Sequence, residues 1–180
     1  MKKFAVLAAW LGVFVSYQNC APGNGLSHSS PAELTTQTPS SYNQIPVQNF
    51  QTLSVWDSAH MQFLDVDLSS GKIAAFIEGG QTPGGNYCLS PALLSSLQAI
   101  LASAKICVPV IDAQQLANQV CAQNYTYPYA SLMGSGSAEY KLGEKRDSCE
   151  VPSDLCGSAA ANLRAWSSDL ITQLSTLACQ

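Results

Sequence analysis

Apolar and polar residues alternate regularly from Phe50 onwards, and this pattern predicts hairpins of β-strands. One strand is predicted over 50–56. Two more are predicted within 60–77, on either side of a turn in which Gly71 supplies the positive φ. A further hairpin is predicted over 124–144, around the sequence "GSG".

A period of 3.6 residues predicts two long helices, over 90–105 and 158–178, each with leucines along one face. A shorter helix is predicted over 112–121. The intervening strand at 106–111 is expected at a sheet edge, because Pro109 has no backbone N–H to donate. Hairpins and two main helices predict an α+β fold, with the helices on one face of an antiparallel sheet.

The N-terminal segment has the pattern of an export signal. Lys2 and Lys3 precede an uncharged apolar run at 4–16, which is shorter than the roughly 20 residues of a membrane-spanning helix. Cys20 follows shortly afterwards, and the segment as a whole resembles the precursor of a bacterial lipoprotein. The resemblance implies that residues 1–19 are a signal peptide and that Cys20 becomes the lipidated first residue of the mature protein.

The same resemblance carries expectations about location. Ala21, after the cysteine, is not the aspartate that in some lipoproteins signals retention in the inner membrane, so the resemblance implies the outer membrane. Residues 20–49 are rich in Ser, Thr, Gln, Asn and Pro and have no apolar periodicity. They are expected to form a flexible tether, which leaves 50–180 as the folded domain.

Composition excludes some classes of partner. Charged residues make up 11% of the chain, well below the usual ~25%, and the net charge is −4. The positive charges form no basic stripe, so no nucleic acid is expected as a partner. The glycine-rich "GGQTPGG" lacks the Lys-Ser/Thr of a phosphate-binding loop, and no cofactor is expected.

The chain has 7 cysteines, and lipidation of Cys20 would leave an even number for disulfide bonds in an oxidising compartment. A three-residue loop in the last hairpin would place Cys121 opposite Cys149. Antiparallel helices would bring the cysteine before each helix to the cysteine after the other, because a helix is too long to be bridged end to end. The predicted nested set is Cys88–Cys179, Cys107–Cys156 and Cys121–Cys149. Its rival is a local Cys149–Cys156 bond, which closes a short loop.

Residues suited to catalysis are few. His60 is the only histidine of the predicted domain. It would serve as the general base of a hydrolase together with the nearby carboxylates of Asp57, Asp65 and Glu78. Asp65 and Asp67 also start a spacing like that of an EF-hand, but the later ligand positions are not filled, and no metal site is expected.

Tyr125, Tyr127 and Tyr129 alternate along a predicted strand and are expected to share one face. Tyrosine combines apolar area with a hydroxyl, which favours a recognition surface, although packing beneath a helix is the alternative. The favoured function is therefore a non-catalytic binding or interaction module. It would be held on the membrane by its lipid and would bind a protein or another envelope component. The alternatives are a hydrolase that uses His60 and a structural surface protein without a discrete ligand.

Overall fold

The computed structural model describes Pro39 and residues 41–77, 87–111, 120–136 and 138–179. All of them belong to one compact unit, Thr35–Gln180. The described residues form an α+β fold with antiparallel sheets and two helices, which confirms the predicted class. The predicted signal peptide, Cys20, Glu78 and most of the predicted helix over 112–121 lie outside them.

The strands and helices are numbered here in chain order. They are β1 (Ser41–Pro46), β2 (Phe50–Asp57), β3 (Gln62–Asp67), β4 (Lys72–Ile77), β5 (Tyr87–Cys88), α1 (Pro91–Leu101), β6 (Lys105–Val110), β7 (Gln123–Thr126), β8 (Ala130–Gly134), β9 (Glu139–Leu142), β10 (Lys145–Asp147), β11 (Asp154–Leu155) and α2 (Ser158–Gln173). They form a six-stranded sheet in the order β5-β4-β3-β2-β8-β9, a three-stranded sheet β1-β6-β11 and a two-stranded sheet β10-β7.

One face of the six-stranded sheet packs against both helices. Alternate residues of its strands point inward, as the period-2 pattern predicts, and join the helix leucines in one core. Inside this core the indole Nε1 of Trp166 in α2 donates a hydrogen bond of 3.0 Å to the carbonyl oxygen of Leu93 in α1. Apolar packing and this bond fix the two helices to each other.

The two helices begin where the sequence predicts and end earlier. The Ser90 side chain accepts a hydrogen bond from the backbone N–H of Leu93, and Pro91 occupies the first turn of α1. α2 ends at Gln173 rather than near residue 178, and a 3-10 turn follows it. The chain leaves the helix because its last residues pair with β5: the N–H of Cys88 donates to the carbonyl of Leu177.

Strand β1 corrects the predicted domain boundary. The sequence pattern places residues 41–49 in the tether, but β1 pairs along its whole length with β6, and the following Val47 is 2% exposed. The folded unit therefore includes Ser41–Asn49. This polar strand has no alternation of its own, and its pairing depends on a distant partner, so local periodicity misses it.

Strand β6 is not the edge strand that its proline predicts. It lies between β1 and β11. β11, however, pairs only with Ile106 and Cys107. At Pro109 the described residues provide β1 as the one neighbouring strand, so the proline interrupts no second ladder.

The last predicted hairpin divides into two. β8 pairs with β9 in the large sheet, and β7 pairs with β10 in the small one, with Pro128 between β7 and β8. Near the loop the register differs by two residues from the prediction, because Met133 faces Glu139, whereas a three-residue loop would set it opposite Ser137. A register irregularity in the small sheet then shifts the pairing back.

The six cysteines form the nested set, without the rival local bond. The bonds are Cys88–Cys179, Cys107–Cys156 and Cys121–Cys149, with Cα–Cα distances of 4.9, 5.2 and 5.5 Å. The first two join the start of each helix to the end of the other, as antiparallel helices require. The third bond, Cys121–Cys149, closes the small sheet. It matches the prediction because the register shift near the loop and the irregularity in the small sheet cancel each other.

Candidate functional site

A row of aromatic side chains crosses one end of the six-stranded sheet, on the face away from the helices. Trp56 in β2 lies directly opposite Phe63 in β3, and Phe63 lies opposite Phe76 in β4. Residues that are directly opposite in antiparallel strands point to the same face. The rings of Trp56 and Phe63 are in contact, with centroids 4.5 Å apart.

Two tyrosines extend this row beyond the sheet. The Tyr127 ring stacks on Trp56 with centroids 5.0 Å apart and an angle of 15° between the planes. Tyr125 meets Tyr127 edge to face at 4.9 Å. The rings of Phe63, Trp56, Tyr127 and Tyr125 thus form one chain of contacts, which brings together residues from three strands and from the link before β8.

An exposed aliphatic side chain lies at the same end of the sheet. Met61 is in the turn before β3, whereas Ile77, the last residue of β4, lies opposite the inward-pointing Gln62 and belongs to the other face. The four most exposed members of this end are Met61 (49%), Phe76 (41%), Tyr125 (50%) and Tyr127 (42%). Together with the half-buried Trp56 and Phe63 they are called the aromatic end below. Exposed apolar residues scattered singly need no explanation, whereas a contiguous group marks an interaction surface.

The aromatic end has little charge. No lysine or arginine occurs in the segments 50–71, 73–77 and 120–138, which supply all of its residues. Charged groups lie at its margin, where the Tyr125 hydroxyl donates to Glu144 Oε1 at 2.8 Å and Arg146 acts on the same tyrosine. That hydrogen bond raises the pKa of Tyr125. An uncharged apolar centre with a polar rim is typical of a recognition surface.

The β2–β3 turn carries the predicted catalytic histidine. Asp57 is 1% exposed, and its Oδ2 accepts from Gln62 Nε2 at 2.9 Å and contacts His60 Nδ1 at 2.7 Å. Its Oδ1 accepts the backbone N–H groups of Ala59 and His60. Burial acts to raise the pKa of Asp57, but the hydrogen bonds from Gln62 and His60 outweigh it and hold the pKa below the ordinary 3.8.

The other predicted acidic residue lies apart from this pair. Asp65 faces Ser54 on the outer face of the sheet and accepts its hydroxyl at 2.5 Å, whereas Asp57 continues the inward-pointing set of Leu53 and Val55. Burial raises the pKa of Asp65, opposed by the Ser54 hydrogen bond. Because the two carboxylates belong to opposite faces, the structure does not bring Asp65 to His60.

Asp67 and the turn after it form a local cap rather than a converging ligand set. Asp67 Oδ1 accepts hydrogen bonds from the backbone N–H and the hydroxyl of both Ser69 and Ser70. These bonds, with the Ser69 hydroxyl contributing most, lower the pKa of Asp67 to about 2. The turn ends at Gly71, whose φ of 71° is the left-handed conformation that the sequence predicts.

Tyr129 does not belong to the predicted tyrosine face. Its hydroxyl donates to Asp154 Oδ1 at 2.6 Å, and the Arg164 guanidinium lies 3.9 Å from its ring centroid. Arg164 also forms an ion pair with Asp154. Burial raises the pKa of Tyr129, and the bond to Asp154 adds to this effect. Of the three predicted tyrosines, two lie at the aromatic end and the third joins β11 to α2.

One group of potential metal ligands occurs among the described residues. Cys121, Asp147 and Cys149 have ligand atoms within 4.8 Å of one another. Both cysteines, however, are joined in a disulfide, which removes the thiolates that a metal would bind. The Asp147 Oδ1 is also bonded to the N–H groups of Cys149 and Glu150. The group is therefore a disulfide bond beside a hydrogen-bonded aspartate, and it stabilises the fold.

Two shallow cavities lie away from the aromatic end. One, of about 270 Å³, is an apolar groove between the Phe50 end of β2 and α1, and it includes Val47 and Leu101. The other, of about 300 Å³, lies between Tyr42 and the Cys107–Cys156 disulfide. Neither of these two cavities contains Asp57 or His60.

No family of proteins, no curated protein and no solved structure matches this chain. In the described part of the chain, neither helix is long and apolar enough to cross a membrane.

Sequence reasoning missed four members of the aromatic end, namely Trp56, Met61, Phe63 and Phe76. The signal was present in the turn lengths. A four-residue turn after Asp57 sets Trp56 opposite Phe63, and the next turn sets Phe63 opposite Phe76.

Proposed function

We propose that this protein is a bacterial envelope lipoprotein, anchored through a lipid on Cys20, whose folded unit binds another molecule with its aromatic end. The proposed export is supported by the three disulfide bonds, which are characteristic of oxidising compartments. The proposed anchor rests on the N-terminal sequence and its resemblance to lipoprotein precursors. The resemblance favours the outer membrane as the site of the anchor.

The observation that carries the binding proposal is the contiguity of the aromatic end. Four of its side chains are more than a third exposed, and three ring contacts join its members. A protein gains free energy by burying such rings, and the turns and helices of this fold leave them at the surface. Aromatic side chains and methionine are the residues enriched in interfaces.

A photo-crosslinking experiment in cells tests the binding proposal. The crosslinker p-benzoylphenylalanine would replace Tyr127 at the aromatic end or, as a matched control, Tyr42 on the three-stranded sheet, which is 46% exposed. We expect crosslinking at Tyr127, to a protein or to lipid as identified by mass spectrometry, and none, or a weaker product, at Tyr42. Equal labelling at both positions, or no crosslink to protein or lipid at Tyr127, contradicts a binding role and favours a structural surface protein without a ligand.

The anchor has an independent test. Mass spectrometry of the protein purified from membranes should find a mature chain that begins at a modified Cys20, with a mass increase from acyl groups. Cys20→Ser should release the protein from the membrane fraction or leave it uncleaved, because one or more acyl chains provide the attachment. An unmodified Cys20 thiol in the mature protein rejects the lipoprotein proposal.

A hydrolase is the second candidate, and the Asp57–His60 pair favours it. The bond at Nδ1 orients the imidazole and leaves Nε2, for which the described residues offer no partner, directed to act as a general base. Hydrolysis of chromogenic esters and amides would be measured with the intact protein and with His60→Gln. Activity that His60→Gln abolishes supports the hydrolase, and equal rates in both proteins reject it.

A further inference from the structure

The aromatic end has the chemistry of a surface that enters the boundary of a lipid bilayer. Tryptophan and tyrosine concentrate at the interface between headgroups and acyl chains, where an apolar ring and a polar edge are both accommodated. Trp56, Tyr125 and Tyr127 supply such rings, and Phe76 and Met61 supply purely apolar contacts beside them.

Charged groups border this end: Asp65 lies on the same face and is hydrogen-bonded to Ser54, and Glu144 and Arg146 lie beside Tyr125. Asp57 is the carboxylate nearest to Trp56 along the chain, and it is already buried and hydrogen-bonded on both oxygens. Lysine and arginine are absent from the segments that supply the aromatic end. Desolvation of an ionised group is the main cost of moving protein surface into lipid, so contact is limited to the apolar side chains while the charged margin stays among the headgroups.

The position of the proposed anchor keeps the bilayer within reach. Twenty residues separate Cys20 from Ser41, and even a fully extended chain of that length spans at most about 70 Å. The folded unit itself has a radius of gyration of about 15 Å, as expected from its length. A lipid on Cys20 would therefore hold the bilayer at a high effective concentration, at which a small apolar surface is enough for contact.

We infer that the aromatic end docks on the bilayer to which the chain is anchored, with Trp56, Phe76 and Met61 at the depth of the headgroup–acyl boundary. This inference rests on the proposed anchor and names the bilayer as the occupant of the proposed binding surface. A glycan is a poorer fit, because Trp56 and Tyr127 cover each other's ring faces, which a sugar would need for stacking.

The two tryptophans of the mature chain provide the test. Trp56 is at the aromatic end, and Trp166 is in the core, 4% exposed. A chain that starts at Cys20 retains every described contact, and its Cys20 thiol can be coupled to a maleimide phospholipid in vesicles of phosphatidylethanolamine and phosphatidylglycerol. This coupling replaces the natural lipid, so the result does not depend on how cells process Cys20.

Quenching by brominated acyl chains then reports immersion. We expect Trp56 to lose about half of its fluorescence in brominated vesicles, and the Trp56→Phe protein, which reports Trp166 alone, to lose almost none. Met61→Asn should reduce the quenching about two-fold, because it removes an apolar contact while asparagine tolerates the positive φ of this position. Phe76→Ser should act likewise, and Tyr42→Ser should have no effect.

Equal fluorescence of Trp56 in brominated and unbrominated vesicles overturns the inference, and so does quenching that Met61→Asn and Phe76→Ser leave unchanged. If Trp56 is not quenched while Tyr127 crosslinks to a protein in cells, the surface binds a protein partner, and the binding proposal survives without the membrane. An unmodified Cys20 in cells would reject the anchor but would not alter the vesicle result.

Discussion

Trp56 and Tyr127 stack with their ring centroids 5.0 Å apart, and this contact fastens the link between β7 and β8 to the six-stranded sheet. Tyr127→Ala should lower the free energy of unfolding by about 1 kcal/mol more than its lost apolar area explains, because the ring contact is lost as well. Tyr127→Phe keeps the ring and should change stability by less than ~0.5 kcal/mol. Urea denaturation measures both values. A double-mutant cycle with Trp56→Ala that gives no coupling energy would contradict the role of the stack.

The alignment of three rings of the aromatic end could be predicted from the sequence, but the position of Tyr127 could not. Trp56, Phe63 and Phe76 align because two short turns set the register of three strands, and turn lengths can be read from the chain. Tyr127 joins them only because the predicted hairpin breaks near Pro128 and the chain turns back over Trp56. That break depends on the competition between two sheets for the same segment, which local periodicity does not report.

Other parts of the fold likewise divide into features that the sequence predicts and features that it does not. Helix caps, hairpins and the nested disulfides follow from spacing, since each depends on residues that are close in sequence or on the packing of two helices. β1 was not predicted, because its stability comes from pairing with β6. The Cys121–Cys149 bond was predicted from a uniform hairpin, whereas the structure reaches it through two offsetting register changes.

Asp57 and Asp65 should affect stability in opposite directions as the pH changes. The pKa of Asp57 lies below 3.8 in the folded state, so its contribution is present above that pH and is lost as the pH falls through the lowered pKa. The pKa of Asp65 is raised, so its ionisation disfavours the folded state, and this penalty disappears below 3.8.

The matched substitutions are Asp57→Asn and Asp65→Asn, compared by thermal unfolding between neutral and acid pH. Asp57→Asn should destabilise the protein at neutral pH, with a loss that shrinks in acid. Asp65→Asn should be neutral or stabilising at neutral pH and lose that advantage in acid. If the melting temperatures of the wild type and both variants change with pH in parallel, the opposite pKa shifts of Asp57 and Asp65 are contradicted.

Gly143 allows the close approach of Tyr129 and Arg164. Its φ is 77°, and an added Cβ would lie 3.0 Å from the Tyr129 ring and 3.1 Å from Arg164 Nη2. Gly143→Ala should therefore destabilise the protein by about 1–3 kcal/mol through backbone strain and displacement of these side chains. The control is Gly136→Ala, where φ is 99° but no atom lies within 4 Å of the added Cβ. Equal losses of stability in the two variants, measured by denaturant unfolding, would show that backbone strain alone, without crowding, disfavours a side chain at position 143.

The Cys121–Cys149 bond should stabilise a part of the molecule rather than the whole. It closes the sheet β7-β10, which shares no strand with the other two sheets. The double substitution of both cysteines by serine should therefore increase amide hydrogen exchange in Gln123–Thr126 and Lys145–Asp147, and leave β2 and β3 protected. The control removes Cys88–Cys179, which joins β5 to the residues after α2, and should lower global stability by about 2–5 kcal/mol. Loss of protection throughout the six-stranded sheet in the first variant would mean that the small sheet unfolds together with the core, through the contact of Tyr127 with Trp56.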